Sequence, residues 1–285
     1  MAAFLRPAQL DEALGALAAG APGGAPWVVV AGATDHYPGR VGRTPVEDVL
    51  DVTAIDGLRG ISPVEEGWRV GALTTWTDLV EAELPPLFDG LRAAALAIGG
   101  LQIQARATVV GNVCNASPAA DGLPNLLALD AAVELASDRG PRRVPVGEFV
   151  TGNRRTVRAP DELVTGLVIP AALPGTTVRS TFEKLGSRAY LVISIAMVAA
   201  VVEIAEDGRI ARARVAVGAC SEVAQRLTEL EVALTGHPAG PETAQLVRAE
   251  HLAGLTPIDD VRGTGAYRRE AALALVRRAL EHGMA

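Results

Sequence analysis

The chain runs to 285 residues with 49% hydrophobic side chains, enough to bury a sizeable core in two domains or in one domain with lobes. Its 26 basic and 33 acidic residues leave a formal net charge of −7, which argues against a general nucleic-acid or anionic-membrane role but leaves room for a local basic patch. No apolar run reaches the roughly 20 residues that span a bilayer, and the start of the chain lacks the pattern of a secretory leader, so a cytoplasmic location is expected.

Cys114 and Cys220 are the two cysteines, and the four histidines show no metal-ligand spacing. A cluster held by four thiolates cannot be built from this set, so any iron–sulfur centre must sit on another chain. Cys114 reads as small buried filler in preference to a reactive thiol.

In chain order, Phe4 to Pro7 predicts a short edge strand. Ala8 to Ala19 predicts an amphipathic helix with Leu10, Leu14 and Leu17 at helical spacing. The sequence GAPGGAP breaks it. Trp27 to Ala31 (WVVVA) is a strand running directly into Gly32, Ala33, Thr34, Asp35 and His36. A turn of small residues after a strand can bring backbone amides to a diphosphate, and a simple tight turn accounts for five such residues equally well. Further strands are expected at Asp48 to Val52 and in a hairpin, Leu58 to Ile61 with Trp68 to Leu73, turning at Glu65 to Gly67. TTWTDL starts a helix, capped by Thr74 or Thr75 with Asp78 in its first turn. Leu87 to Ile98 is a second helix, ended by Gly99 and Gly100.

From Arg106 to Asp130 the composition changes. Small residues, Thr108, Asn112, Asn115, Ser117 and few bulky side chains predict an unbroken loop whose backbone can approach a ligand, opening onto an apolar LLALDA helix whose first turn offers a seat for a phosphate. A Ser/Asn/Pro-rich connection that caps its own turns explains the same residues. Strands follow at Ala132 to Ala136 and Arg143 to Val146. Phe149 to Pro160 then reads as a polar loop whose Arg154, Arg155 and Arg158 are solvated, with contact to an acidic partner or a phosphate as the alternative. Glu162 to Ile169 is a strand, and Pro170 to Thr176 marks a domain boundary.

Beyond it, strands are expected at Thr177 to Lys184, Ser194 to Glu203 and Ile210 to Gly218, with a turn at Asp207-Gly208. The apolar run Leu191 to Val202 suits a buried strand. Helices are predicted at Val223 to Thr235, Pro241 to His251 and Tyr267 to His282. No G-x-G-x-x-G follows a strand and no G-x-x-x-x-G-K-[ST] occurs, so neither a Rossmann nor a Walker site is expected.

The segment T-x-x-G-N-x-C-N-A-S-P-A-A-D, Thr108 to Asp121, resembles the flavin-binding signature of the medium, FAD-carrying subunit of the xanthine dehydrogenase and carbon monoxide dehydrogenase family of molybdenum hydroxylases. A-G-A-T-D at Ala31 to Asp35, G-L-Q-I at Gly100 to Ile103, the Glu162 to Pro170 strand and FEKLGSR at Phe182 to Arg188 resemble that family in the same order, so the likeness covers nearly the whole chain. The chain departs from the family pattern at Val110 and Ala33, where glycine is common, and at Val192, where many relatives carry aspartate.

The resemblance implies an α+β fold. A two-lobed FAD-binding domain of the vanillyl-alcohol-oxidase/PCMH type would occupy residues 1–170, with lobes of about 1–55 and 56–170. A C-terminal flavoprotein domain at 171–285 would pair a three-stranded antiparallel sheet with helices. The resemblance also implies the cofactor contacts. Val29, Val30, Ala31, Gly32, Ala33, Thr34, Asp35 and His36, with Thr108, Val109, Val110, Gly111 and Asn112, would cradle the diphosphate and ribitol. Asn115, Ser117 and Asp121 would add polar contacts, and Ile98, Val164 and Lys184 would meet the isoalloxazine. From the residues alone, Ile98 is ordinary core and Lys184 an exposed strand lysine, and Tyr190 either reaches the ring or packs.

The implied function is electron transfer. FAD would take electrons from two iron–sulfur clusters on a small partner and pass them to NAD, oxygen or a quinone, while a large molybdopterin partner hydroxylates the substrate. No catalytic acid or base is expected on this chain. The alternatives are a stand-alone FAD oxidase or dehydrogenase, and a scaffold that kept the fold without the flavin.

Overall fold

The computed structural model describes residues 2–42 and 46–284. Its first elements are β1 (Phe4–Leu5), α1 (Leu10–Ala19), β2 (Val28–Val30) and β3 (Val49–Asp51). The three strands pair in parallel in the order β1-β3-β2. Ala13, Leu14 and Leu17 lie one helical turn apart, so α1 buries a single stripe against Trp27, Leu50, Val52 and Leu163.

Next come β4 (Ile61–Val64), β5 (Gly67–Gly71), α2 (Trp76–Glu81), α3 (Asp89–Ala97), α4 (Leu101–Gln104), α5 (Val109–Asn115) and α6 (Gly122–Ala128). The helix expected from TTWTDL is present. Thr75 is its cap: the hydroxyl accepts from Asp78 N at 3.1 Å and the Asp78 carboxylate accepts from Thr75 N at 2.9 Å, a reciprocal capping box.

The expected unbroken loop from Arg106 to Asp130 is corrected by α5. Val-Val-Gly-Asn-Val has poor helix propensity, but Thr108 caps the first turn by accepting from Gly111 N at 2.9 Å. Val109, Val110 and Val113 bury one face in the core, so packing overrides propensity. The following helix is also corrected. It begins at Gly122, and its first turn is buried against α5, with Gly122 N donating to Asn112 Oδ1 at 3.3 Å. No phosphate seat opens there.

A five-stranded antiparallel sheet, order β4-β5-β10-β6-β7, is completed by β6 (Ala132–Ser137), β7 (Gly140–Pro145) and β10 (Leu163–Pro170). Between β7 and β10 lie α7 (Val146–Phe149), β8 (Val150–Gly152) and β9 (Arg155–Thr156). The polar loop expected from Phe149 to Pro160 is therefore a small hairpin, with Arg154 at its tip in the left-handed region, φ 55°.

The last sheet is formed by β11 (Thr177–Leu185), β12 (Ala196–Ile204), β13 (Ile210–Gly218) and β14 (Gln225–Arg226), all antiparallel. Four strands stand where three were expected. β14 is two polar residues long, with no alternation to betray it, and its pairing delays α8 to Thr228–Leu234. The second expected helix is two 3-10 turns, Pro241–Leu246 and Ala249–Leu252, and the third is α9 (Gly265–Met284).

β12 is buried on both faces, which explains its unbroken apolar run. Ala199 and Val201 face the core of the five-stranded sheet, and Ala196, Val198, Ala200 and Val202 face α9. The strand begins at Ala196 rather than in the run from Leu191. Leu191 sits at φ 52° in an exposed loop. Fully buried Glu203 accepts from Leu173 N at 2.7 Å and pairs with Arg212 and Arg214, while Arg214 reaches Asp130 just past α6 at 2.9 Å. This network fixes the last sheet against the five-stranded one and so sets where Lys184 falls.

Candidate functional site

A cleft of about 800 Å³ opens between two loops. Loop one follows β2 at residues 31–36. Loop two comprises residues 107–115 and is mostly α5. The loops meet where Gly32 packs on the Arg106 carbonyl; a Cβ on Gly32 would lie 2.0 Å from that oxygen, so no larger residue fits without moving one loop. Ala33 beside it holds φ 54°, a conformation that favours glycine.

Most of the residues singled out from sequence line this cleft: Val29, Val30, Ala31, Gly32, Ala33, Thr34, Asp35, His36, Ile98, Thr108, Val110, Gly111, Asn112, Asn115 and Val164. Four do not. Val109 is core beneath the wall. The Ser117 hydroxyl is turned to its own loop, accepting from Ala119 N at 3.3 Å. Asp121 and Lys184 form a buried pair behind the wall, Nζ to Oδ2 2.6 Å, with Ser194 donating to the second carboxylate oxygen and Lys184 also donating to Ala97 O at 3.3 Å. Lys184 is thus neither an exposed strand lysine nor part of the cleft lining. It braces the turn that presents Ile98. Burial holds the Asp121 carboxyl above the usual range, against the opposing pull of Lys184 and Ser194.

Other lining residues were not among the expected cofactor contacts: Trp27, Arg40, Trp76, Ile103, Cys114, Arg154, Arg158, Glu162 and Ile193. Asn153 and Arg154 form the two-residue turn between β8 and β9, and the hairpin gives the Arg154 side chain a fixed direction. The arginine of TGNRRT therefore reaches the cleft and not bulk solvent alone. Cys114 is exposed on the wall and so is not buried filler, yet protein crowds its other sides and that enclosure pushes its thiol up to about 11. Burial and the nearby Arg40 charge hold His36 below its ordinary value, against the opposing pull of Glu47. Tyr190 is about half exposed, its hydroxyl near Gly100, and is absent from the cleft lining.

The cleft suits a large polar ligand with an aromatic part. Among the described residues, the amides of Gly32, Ala33 and Thr34 donate to no protein acceptor, which leaves donors for anionic oxygens. Trp76 is fully buried at the cleft wall, and its indole Nε1 has no partner among the described residues. Ile98, Ile103, Val164 and Ile193 supply apolar walls. Two loops with free amides, polar side chains and apolar walls around one cleft suit a dinucleotide that carries an aromatic ring.

The comparisons with known proteins agree. The family model for the FAD binding domain in molybdopterin dehydrogenase matches residues 1–172, and that for the CO dehydrogenase flavoprotein C-terminal domain matches residues 181–282. The nicotinate dehydrogenase FAD-subunit of Eubacterium barkeri is 30% identical, covering 85% of this chain and 82% of its own. The xanthine dehydrogenase FAD-binding subunit of Escherichia coli O157:H7 is 28% identical, covering 83% and 81%. Among solved structures, carbon monoxide dehydrogenase from Hydrogenophaga pseudoflava superposes with a TM-score of 0.87 at 26% identity, over 99% of this chain and 96% of that one. The chain belongs to the FAD-binding subunit family of the molybdopterin dehydrogenases. No helix among the described residues is long and apolar enough to cross a membrane.

Proposed function

We infer that the protein is the FAD-carrying electron-transfer subunit of a molybdenum hydroxylase, with molybdopterin and iron–sulfur clusters on partner chains. The observation that carries this is the convergence of two sequence-distant loops, 31–36 and 107–115, on one cleft sized for a dinucleotide. Bound FAD would supply two-electron chemistry with one-electron steps, taking electrons from a partner's clusters and releasing them to an acceptor.

Val29 to His36 and Thr108 to Asn112 hold the diphosphate and ribitol in this reading, with Asn115 at the rim and Ile98 and Val164 against the isoalloxazine. Asp121 and Lys184 act from behind the wall by fixing Ala97 and the turn after it. Val109 and Ser117 serve the shape of loop two. The FAD-binding domain spans residues 1–170 in two lobes of the PCMH type, and the C-terminal flavoprotein domain begins at 171. A large molybdopterin subunit and a small 2Fe-2S subunit complete the assembly, which would work in the cytoplasm.

Expression together with the chains encoded beside it tests this reading. The three should copurify, and a hydroxylase substrate should bleach the flavin only when all three are present. Bleaching of the isolated chain by a small organic substrate would favour a stand-alone oxidase or dehydrogenase instead.

A further inference from the structure

The hairpin β8–β9 has an arrangement that fold stability does not explain. Arg154, at its tip, donates from one nitrogen, Nη1, to Asp35 Oδ2 and to Asn115 Oδ1, both at 2.7 Å. Asp35 belongs to loop one and Asn115 to loop two, and all three residues line the cleft. The backbone anchors the tip: Arg154 N donates to Ala116 O at 2.9 Å, and Glu222 accepts from Asn153 N at 3.2 Å and from Arg155 at 3.0 Å. Among the described residues, Arg154 is the one whose side chain hydrogen-bonds to both loops at once.

We propose that Arg154 is a latch that joins the two loops across a bound dinucleotide and sets how fast the cofactor exchanges. This rests on the FAD-binding reading above. The pair is more than half exposed on both sides, 59% and 57%, so it adds little to the stability of the empty fold. Its position gives it a different effect. A ligand held between the loops leaves when they part, and parting them breaks the Arg154 bridge to Asp35. The energy of the bridge therefore enters the dissociation barrier.

The test is the exchange rate of FAD from the purified chain, followed by flavin fluorescence after dilution into an excess of a flavin-capturing apoprotein. Arg154→Ala should release FAD about fivefold faster, the rate equivalent of the upper range for an exposed pair, with the melting temperature of the apoprotein unchanged. Asp35→Asn, which takes the charge out of the bridge, should also speed release, and the double variant should be no faster than Arg154→Ala alone, because that variant has already lost the bridge to both loops. The exchanged pair Arg154→Asp with Asp35→Arg should slow release back toward the parent rate. Faster release in Arg154→Ala without any change in Asp35→Asn would mean that Arg154 grips a phosphate, and would overturn the latch. So would parent-like release in both. A parent chain that binds no FAD at all would sink the function and the latch together, whereas normal binding with unaltered exchange sinks the latch alone.

Discussion

The Lys184 ammonium lies 2.6 Å from the Asp121 carboxylate, and this buried contact joins β11 of the last sheet to the residue that opens α6. Both side chains are at least 87% buried, with Ser194 and the Ala97 carbonyl as further partners. Sequence likeness alone would give these two residues direct cofactor contacts. Their geometry makes them braces for the wall that carries Ile98.

Breaking one side of this pair should be costly. Lys184→Met leaves a buried carboxylate without its cation, and Asp121→Asn leaves the ammonium without its anion. Each should lower unfolding free energy by about 3 kcal/mol in urea titrations, while the double variant recovers much of the loss. Equal and additive losses would show that the two side chains do not act as a pair.

Trp27 and Trp76 both line the cleft, so FAD should quench tryptophan emission as it binds. Trp76→Phe removes one emitter and an indole N–H sealed from the cleft, so it should reduce the quench while leaving FAD affinity within about threefold of the parent. Fluorescence titration of the parent chain and this variant measures both effects.

Ala33 holds φ 54°, where a Cβ costs roughly 1 kcal/mol. Ala33→Gly should therefore raise the melting temperature slightly, and Ala33→Val should lower it, since a β-branched residue tolerates this region least. The reverse order in a thermal melt would place loop one in another conformation.

Asp260 carries a pH prediction. Arg262 N and the guanidinium groups of Arg268 and Arg262 hold its carboxyl at about 2, below the ordinary 3.8. The folded chain thus binds fewer protons at this site than the unfolded chain, so the stabilisation is present above pH 3.8 and is lost as pH falls toward 2. Asp260→Asn should be less stable than the parent at pH 6, with the gap closing below pH 3 in denaturant titrations at each pH.

Elements with strong local signals were legible from sequence. α1, with its leucine stripe, and β13 fall within two residues of their expected bounds, and α2 carries the expected cap. Elements set by tertiary contact were not. α5 is made of poor helix formers and owes its form to Thr108 and the core, and β14 is a helix start captured by β13. The cleft lining was legible because backbone approach requires small residues and these leave a mark in composition. Arg154 and Trp76 reach it by fold alone, from a hairpin tip and a helix that the sequence does not place beside loop one. Asp121 and Lys184, expected as cofactor contacts, pair with each other and are absent from the cleft lining, a placement that depends on β11 docking beside α6.

The most direct test of the account is an FAD titration of the purified chain, read by absorbance near 450 nm, roughly the usual flavin range. The parent should saturate at one FAD per chain, and Gly111→Val, whose side chain would collide with the Thr108 oxygen that caps α5, should lose most of that binding. Failure of the folded parent chain to take up FAD, or undiminished binding in a folded Gly111→Val, would contradict the assignment of this cleft.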